Sequence, residues 1–115
     1  MAGGSGGNIP VGKEYNIKNG FFMEKFELIS VEKAKRLAME PGYIVIDLRS
    51  RQDYDKNHIE NAVNIPQGSI KDIEKFDRKD EVWVLYCRRG SLSFRLASEM
   101  SDKGYKVMAV VGGFQ

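Results

Sequence analysis

The sequence predicts an α/β domain in which a mainly parallel sheet is covered by helices on both faces. Runs of β-branched and aromatic residues alternate along the chain with amphipathic helical patterns, and this alternation is typical of βαβ units. The run Tyr43–Asp47 is almost wholly apolar, as expected of a strand that is covered on both sides. A length of 115 residues suits one domain with an adequate core.

The composition is that of a soluble globular protein, with 42% apolar and 30% charged residues. A net charge of +2, carried by interleaved basic and acidic residues, argues against nucleic acid as a partner. No apolar run approaches the length of a membrane span and no signal peptide opens the chain, so we expect no membrane association. A single cysteine cannot form an internal disulfide, which favours a reducing, cytoplasmic location.

Composition divides the chain into three segments. Residues 1–7 are glycine-rich and are predicted to be a flexible linker or a vector-derived remnant. Residues 8–25 carry apolar side chains without a clean period, interrupted by Pro10 and Gly12, and are predicted to form a partly ordered arm. The domain is expected to occupy residues 26–115.

The first half of the domain is predicted to contain two strands and two helices. A short strand at Phe26–Ile29 leads to Ser30, a plausible N-cap for a helix from Val31 to about Met39. The second strand is Tyr43–Asp47. Ser50 and Asp53 then have capping-box spacing for a short helix.

A brief strand and a capped helix follow before the central stretch of the chain. The strand is predicted at Ala62–Ile65 and is ended by Pro66. Ser69 and Asp72 again have capping-box spacing, here for a helix that reaches about Phe76.

The central stretch joins a strand to a helix through the only cysteine. The apolar run Val82–Tyr86 ends at Cys87, and the polar loop Arg88-Arg89-Gly90-Ser91 leads into a helix pattern that Gly104 closes. Leu92, Leu96, Ala97 and Met100 fall on one face of this helix, and Arg95, Glu99 and Lys103 form a solvent row. The last strand is predicted at Lys106–Val111.

The surroundings of Cys87 favour a reactive thiolate. Thiolates are stabilised by neighbouring cations and by the positive end of a helix, and Arg88, Arg89 and a helix start follow directly. Gly90 lets the backbone turn so that successive N–H groups point at one anion. The competing interpretation is that Cys87 is a small, inert, buried residue that closes a strand.

Several short motifs, taken together, resemble the rhodanese family of sulfurtransferases, and the resemblance spans about residues 26 to 114. The fragments occur in the expected order, and together they are far more specific than any one of them. They are Asp47-Leu48-Arg49, Asp53-Tyr54, His58-Ile59, Ala62-Val63-Asn64-Ile65-Pro66, Cys87-Arg88-Arg89-Gly90-Ser91 and Gly112-Gly113.

The resemblance implies a rhodanese-like fold with a central five-stranded sheet and a persulfide mechanism. Cys87 would accept a sulfane sulfur from thiosulfate or a protein persulfide and pass it to a thiol or to cyanide, with no metal or organic cofactor. The backbone from Arg88 through Gly90 and Ser91 to Leu92 would line the cradle of the sulfur. The side chain of Arg89 would contact an anionic donor.

Three departures from the family pattern qualify this implication. Leu92 stands where many relatives have arginine or another polar residue, and Asp53 stands where some thiosulfate-specific enzymes have a basic one. Both argue against efficient use of thiosulfate. Relatives usually continue past the paired glycines, so we expect either a trimmed C-terminus or an N-terminal arm that covers the open surface.

The remaining candidate residues are given supporting roles. Asp47 and Arg49 are expected to tie the end of their strand to neighbouring loops. His58, the only histidine, lies in a turn motif and is expected to be a scaffold donor or acceptor rather than a general base.

Two other functions compete with sulfur transfer. A phosphatase of the same fold needs an arginine six places after the cysteine, where this chain has Ser93, so the fork donor for a tetrahedral oxyanion is missing. The second alternative is a non-catalytic rhodanese-like module for binding, sulfur carriage or sulfur sensing.

Overall fold

The computed structural model describes residues 25–114, so the predicted linker and nearly all of the predicted arm lie outside the described residues. Strands and helices alternate strictly from the first described element to the last. They are β1 (Glu27–Ile29), α1 (Val31–Leu37), β2 (Tyr43–Asp47), α2 (Arg51–Lys56), β3 (Val63–Asn64), α3 (Ile70–Glu74), β4 (Val82–Tyr86), α4 (Ser91–Asp102) and β5 (Lys106–Val110).

The five strands form one parallel sheet in the order β1-β5-β4-β2-β3. The longest strands, β2, β4 and β5, occupy the centre, and the short β1 and β3 form the edges. Asp47 at the end of β2 pairs with Tyr86 at the end of β4, so the carboxyl ends of the two central strands meet. The prediction of a five-stranded parallel α/β fold is confirmed.

Alternation along the strands divides the core into two clusters, one on each face of the sheet. Trp83, Leu85 and Cys87 of the central stretch pack with Leu96 and Met100 of α4. Val84 and Tyr86 point to the opposite face, where they pack with Ala34 of α1 and Ile59. Cys87 therefore lies on the same side of the sheet as α4.

The helix starts agree with their predicted caps. The Ser30 and Ser50 hydroxyls accept hydrogen bonds from the backbone N–H groups of Lys33 and Asp53 at 3.0 and 3.1 Å. The Asp72 carboxylate accepts from the N–H of Ser69 at 2.8 Å, and this hydrogen bond lowers the pKa of Asp72.

Several elements end earlier than predicted. The first helix ends at Leu37 rather than Met39, because the N–H of Met39 bonds the carbonyl of Arg36 in a tighter turn. The third helix likewise ends at Glu74 rather than Phe76, whose N–H bonds Ile73. The edge strands are also shorter than predicted, and the last strand ends at Val110.

Within residues 25–114, none of the helices combines the length and the hydrophobicity needed to cross a bilayer.

Candidate active site

Cys87 follows the last residue of β4, and three loop residues separate it from α4. The loop reverses at Gly90, which has a φ of +95° and is the N-cap of α4. A left-handed φ is strained for residues with a Cβ, so glycine suits this position. The turn brings the unpaired N–H groups at the start of a twelve-residue helix back to the end of the strand.

The sulfur of Cys87 lies within this turn and is surrounded by donors. It accepts hydrogen bonds from the N–H of Gly90 at 3.0 Å and from the N–H of Ser93 at 3.4 Å. The thiol is also 3.5 Å from the hydroxyl oxygen of Ser93. The cysteine is only 5% exposed, so it is both buried and held by backbone amides.

These donors outweigh the effect of burial on the thiol. Burial alone would raise the pKa of Cys87, but the hydrogen bonds from the Ser93 side chain and from the N–H groups of Ser93, Gly90 and Arg89 lower it. The net pKa is below the ordinary value of a cysteine. A larger fraction of the sulfur is therefore thiolate at neutral pH, and thiolate is the nucleophilic form.

The other predicted loop residues take different places. The Arg88 and Arg89 side chains are exposed, and Nη1 of Arg88 lies 3.7 Å from a carboxylate oxygen of Asp53. Ser91 is exposed at the start of α4. Leu92, the second residue of α4, is partly buried and packs against the hydrophobic core.

A shallow pocket of about 190 Å³ lies at the carboxyl end of the sheet, beside the loop. Its five lining residues are all polar or charged: Arg49, Asp53, Lys56, Asn57 and Arg88. Because Asp53 pairs with Arg88 here, a negative charge accompanies the cations at this rim.

Asp47 and Arg49 form a buried ion pair under this pocket. Nη2 of Arg49 is 2.8 Å from Asp47 Oδ2, and the two side chains are 2% and 0% exposed. The same guanidinium donates to the backbone carbonyl of Asn57. Burial opposes the charge on Arg49, but the hydrogen bond and the charge of Asp47 raise its pKa. The pair therefore joins the end of β2 to the loop after α2.

The segment after β5 packs back onto the cysteine loop. The N–H of Phe114 donates to the carbonyl of Cys87 at 3.0 Å. Its ring lies 5.2 Å from the ring of Tyr86 and 4.8 Å from the guanidinium carbon of Arg49. Gly113 has a φ of +74°, and a Cβ built there would overlap the carbonyl of Arg88.

Replacing Gly113 by alanine is expected to destabilise the protein and to disturb the cysteine loop. A left-handed φ costs a residue with a Cβ about 1–2 kcal/mol, and overpacking adds about 1–3 kcal/mol. Gly112 is a matched control because its φ is +85° and no atom beyond its two chain neighbours lies within 4 Å of a built Cβ. Urea unfolding should show a clearly larger loss of unfolding free energy for Gly113→Ala than for Gly112→Ala. Equal losses would argue against the contact with Arg88.

The side chain of His58 contacts Tyr54 of α2. Its Nδ1 is 2.8 Å from the carbonyl oxygen of Tyr54, and the two rings stack with their centroids 3.8 Å apart. The side chain is exposed. These contacts fix the turn after α2.

The site contains two residues that the sequence had not indicated as parts of it. Ser93 provides an N–H and a hydroxyl next to the sulfur, and Phe114 covers the ion pair and holds the loop. Only the position of Ser93 in the first turn of a helix could have suggested its N–H donor. Among residues 25–114, no three histidine, cysteine or acidic side chains converge as metal ligands would.

Comparisons with known proteins identify relatives over most of the chain. Residues 30–115 match the family described as rhodanese-like domain. The chain is 32% identical over 94 residues to the protein of Pseudomonas syringae pv. syringae (strain B728a) named thiosulfate sulfurtransferase GlpE, covering 81% of this chain and 88% of that protein. A rhodanese-related protein from Thermoplasma volcanium superposes with a TM-score of 0.66 at 23% identity, covering 78% of this chain and 88% of that one, which shows a shared fold.

Some relatives are much longer than this chain. The match to the tRNA sulfurtransferase of Thermoplasma acidophilum is 39% identical over 61 residues and covers 53% of this chain but 12% of that protein. In this and two further curated relatives, the match spans between 12% and 27% of the relative's length.

Proposed function

The chain belongs to the rhodanese-like domain family, and from this premise we propose that it is a sulfurtransferase that carries a sulfane sulfur as a persulfide on Cys87. Relatives named thiosulfate sulfurtransferase and tRNA sulfurtransferase support sulfur transfer as the general activity. The donor, the acceptor and the cytoplasmic location of the reaction are parts of this proposal.

One observation carries the proposal: the Cys87 sulfur lies in a cradle of N–H groups from the loop and from the start of α4. Donors at 3.0 and 3.4 Å, from Gly90 and Ser93, suit a sulfur that bears negative charge. An inert cysteine in an apolar core would have a raised pKa, whereas the pKa of Cys87 is lowered. Cys87 therefore does not have the properties of a cysteine that is merely buried.

The proposed chemistry has two half-reactions. The Cys87 thiolate attacks the outer sulfur of the donor, a sulfur–sulfur bond forms, and the donor leaves with its bonding electrons, as sulfite when thiosulfate is the donor. A thiolate or cyanide then attacks the outer sulfur of the persulfide. The Cys87 thiolate leaves and is ready for another cycle.

Charges at the rim favour a protein persulfide over thiosulfate as the better donor. Asp53 lines the pocket next to the loop, and its carboxylate lies 3.7 Å from Arg88, which reduces the attraction of that arginine for a small dianion. Leu92 provides no polar contact because it packs against the core. Arg89 remains exposed in the loop and is the candidate contact for an anionic donor.

Intact-mass measurement after exposure to a donor tests the proposal. The protein is incubated with thiosulfate or with a cysteine-desulfurase persulfide, and the excess donor is removed. We expect a gain of one sulfur atom that a reducing thiol removes, with faster loading from the protein persulfide. Because the chain has one cysteine, the gain can be assigned to Cys87.

The absence of any sulfur gain from either donor would overturn the proposal. The chain would then be a non-catalytic binding module, since the fold and the relatives would remain while the chemistry was lost. Faster loading from thiosulfate would leave transfer intact but contradict the role given to Asp53.

A further inference from the structure

We propose that the Ser93 hydroxyl is a hydrogen-bond switch for the reacting sulfur: it accepts from the neutral Cys87 thiol and donates to the Cys87 thiolate. This inference rests on the proposed function for its role in transfer. Its physical core, the response of one hydroxyl to one sulfur, can be tested without any transfer reaction.

Three groups form a short chain in the described geometry. The thiol of Cys87 donates to Ser93 Oγ at 3.5 Å, and the Ser93 hydroxyl donates to the carbonyl oxygen of Gly90 at 2.9 Å. A hydroxyl has one hydrogen and two lone pairs, so it can accept from the sulfur while it donates to the carbonyl. Ser93 is 0% exposed, so water does not compete for these contacts.

Loss of the thiol proton changes what the sulfur requires. The proton passes to a base in the solvent, and the sulfur becomes an acceptor only. Rotation about the Cβ–Oγ bond then turns the Ser93 hydrogen from Gly90 towards the sulfur, which gives a charge-assisted hydrogen bond. Only a hydrogen atom has to move.

The Gly90 carbonyl keeps a hydrogen-bond donor after the Ser93 hydroxyl has turned away from it. The N–H of Phe94 donates to the Gly90 carbonyl at 2.9 Å as the first hydrogen bond of α4. The rotation therefore leaves the Gly90 carbonyl with a donor and avoids the cost of an unsatisfied buried acceptor. The switch favours the thiolate at little expense elsewhere.

The same switch assigns Ser93 a place in the second half-reaction. In the persulfide, the charge lies on the outer sulfur, so the inner sulfur of Cys87 is a weaker acceptor and the hydroxyl can return to Gly90. When the acceptor attacks, the sulfur–sulfur bond breaks and its electron pair goes to Cys87. Ser93 then donates to the departing thiolate and stabilises it.

Charged side chains do not replace this role. Arg88 and Arg89 are exposed, and Arg49 is paired with Asp47. In the described part of the chain, the hydrogen-bond partners of the Cys87 sulfur are the N–H groups of the loop and helix start, which donate to it, and the Ser93 hydroxyl, which accepts from the thiol. A change in the Ser93 hydroxyl should therefore be measurable against this background.

The experiment is a pH titration of the Cys87 thiol in three variants. Ultraviolet absorbance detects the thiolate directly, so the access of a reagent to the buried sulfur does not matter. Ser93→Ala removes the hydroxyl, Ser93→Thr restores one, and Ser98→Ala removes a hydroxyl further along α4 as a matched control. We expect the pKa of Cys87 to rise by about 1 unit in Ser93→Ala, since a hydrogen bond to a charged group has roughly that effect. Ser93→Thr should lie close to the wild type, and Ser98→Ala should not differ from it.

An unchanged pKa in folded Ser93→Ala would overturn the inference. If Ser93→Thr does not fold, as judged by circular dichroism, the comparison of Ser93→Ala with Ser98→Ala decides alone. The titration also separates this inference from the proposed function, because a shift in pKa without any sulfur loading would retain the switch and reject the transfer. Where loading occurs, Ser93→Ala should load up to about tenfold more slowly at neutral pH, following its smaller thiolate fraction.

Discussion

Replacing Cys87 by serine is expected to abolish sulfur loading and to reduce transfer by about a thousandfold or more. The serine oxygen would lie where the sulfur was, but a serine hydroxyl is not ionised at neutral pH, and among residues 25–114 no histidine, carboxylate or lysine is hydrogen-bonded to the side chain at position 87. Intact-mass measurement should show no added sulfur, and turnover from either donor should fall to the uncatalysed rate.

The same substitution should leave the fold almost intact, which makes the loss of activity interpretable. Serine is close in size to cysteine, and its oxygen can accept the N–H groups of Gly90 and Ser93 that the sulfur accepts now. The free energy of unfolding, measured with urea, should therefore fall by only about 1 kcal/mol. Cys87→Ala is a second variant that lacks the acceptor as well. Added sulfur that remains on a folded Cys87→Ser protein would show that Cys87 is not the carrier.

The arrangement around Cys87 was predictable where it depends on local pattern. The apolar run Val82–Tyr86, the glycine in the loop and the helix that follows were read from residues close together in sequence, and the structure places β4 and α4 at these positions. The caps at Ser30 and Ser50 are local in the same sense. Such features need no knowledge of distant partners.

The donors of the cradle were only partly predictable. The predicted cradle ran from Arg88 to Leu92, and the N–H groups of Arg89 and Gly90 within it do face the sulfur, whereas the third N–H donor, Ser93, lies one residue beyond it. The direction of a side chain at a helix start depends on how the helix packs on the sheet. Leu92 faces the core for this reason, and Ser93 faces the sulfur.

The burial of Asp47 and Arg49 could not be predicted from their neighbourhood in sequence. Charged residues are mostly exposed unless they are paired, and here the pair is covered by Phe114, which arrives from the far end of the chain. Tyr86 is also buried beside this pair. Its hydroxyl accepts a hydrogen bond from the N–H of Ile59 at 3.1 Å, and burial raises its pKa. Such contacts exist only once the sheet has assembled.

Replacing Arg49 by methionine is expected to cost about 3–5 kcal/mol of folding free energy. The loss is large because Asp47 would remain buried with its charge uncompensated and the carbonyl of Asn57 would lose its donor. A domain of this size has a total stability of about 5–15 kcal/mol, so the variant should unfold at a much lower denaturant concentration. Urea unfolding followed by circular dichroism measures the difference.

Arg51→Met is the matched control for this prediction. Arg51 pairs with Asp55 at 2.9 Å, but the two side chains are 72% and 60% exposed, and such surface pairs contribute about 0–1 kcal/mol. Adding Asp47→Asn to Arg49→Met should recover about 1–2 kcal/mol, because it removes the unpaired charge while the amide oxygen can still accept from the backbone N–H of residue 49. Equal losses of unfolding free energy in Arg49→Met and Arg51→Met would mean that burial does not make the pair of Arg49 with Asp47 more important for stability than an exposed pair. A double variant no more stable than Arg49→Met would mean that packing, and not an uncompensated charge, causes the loss.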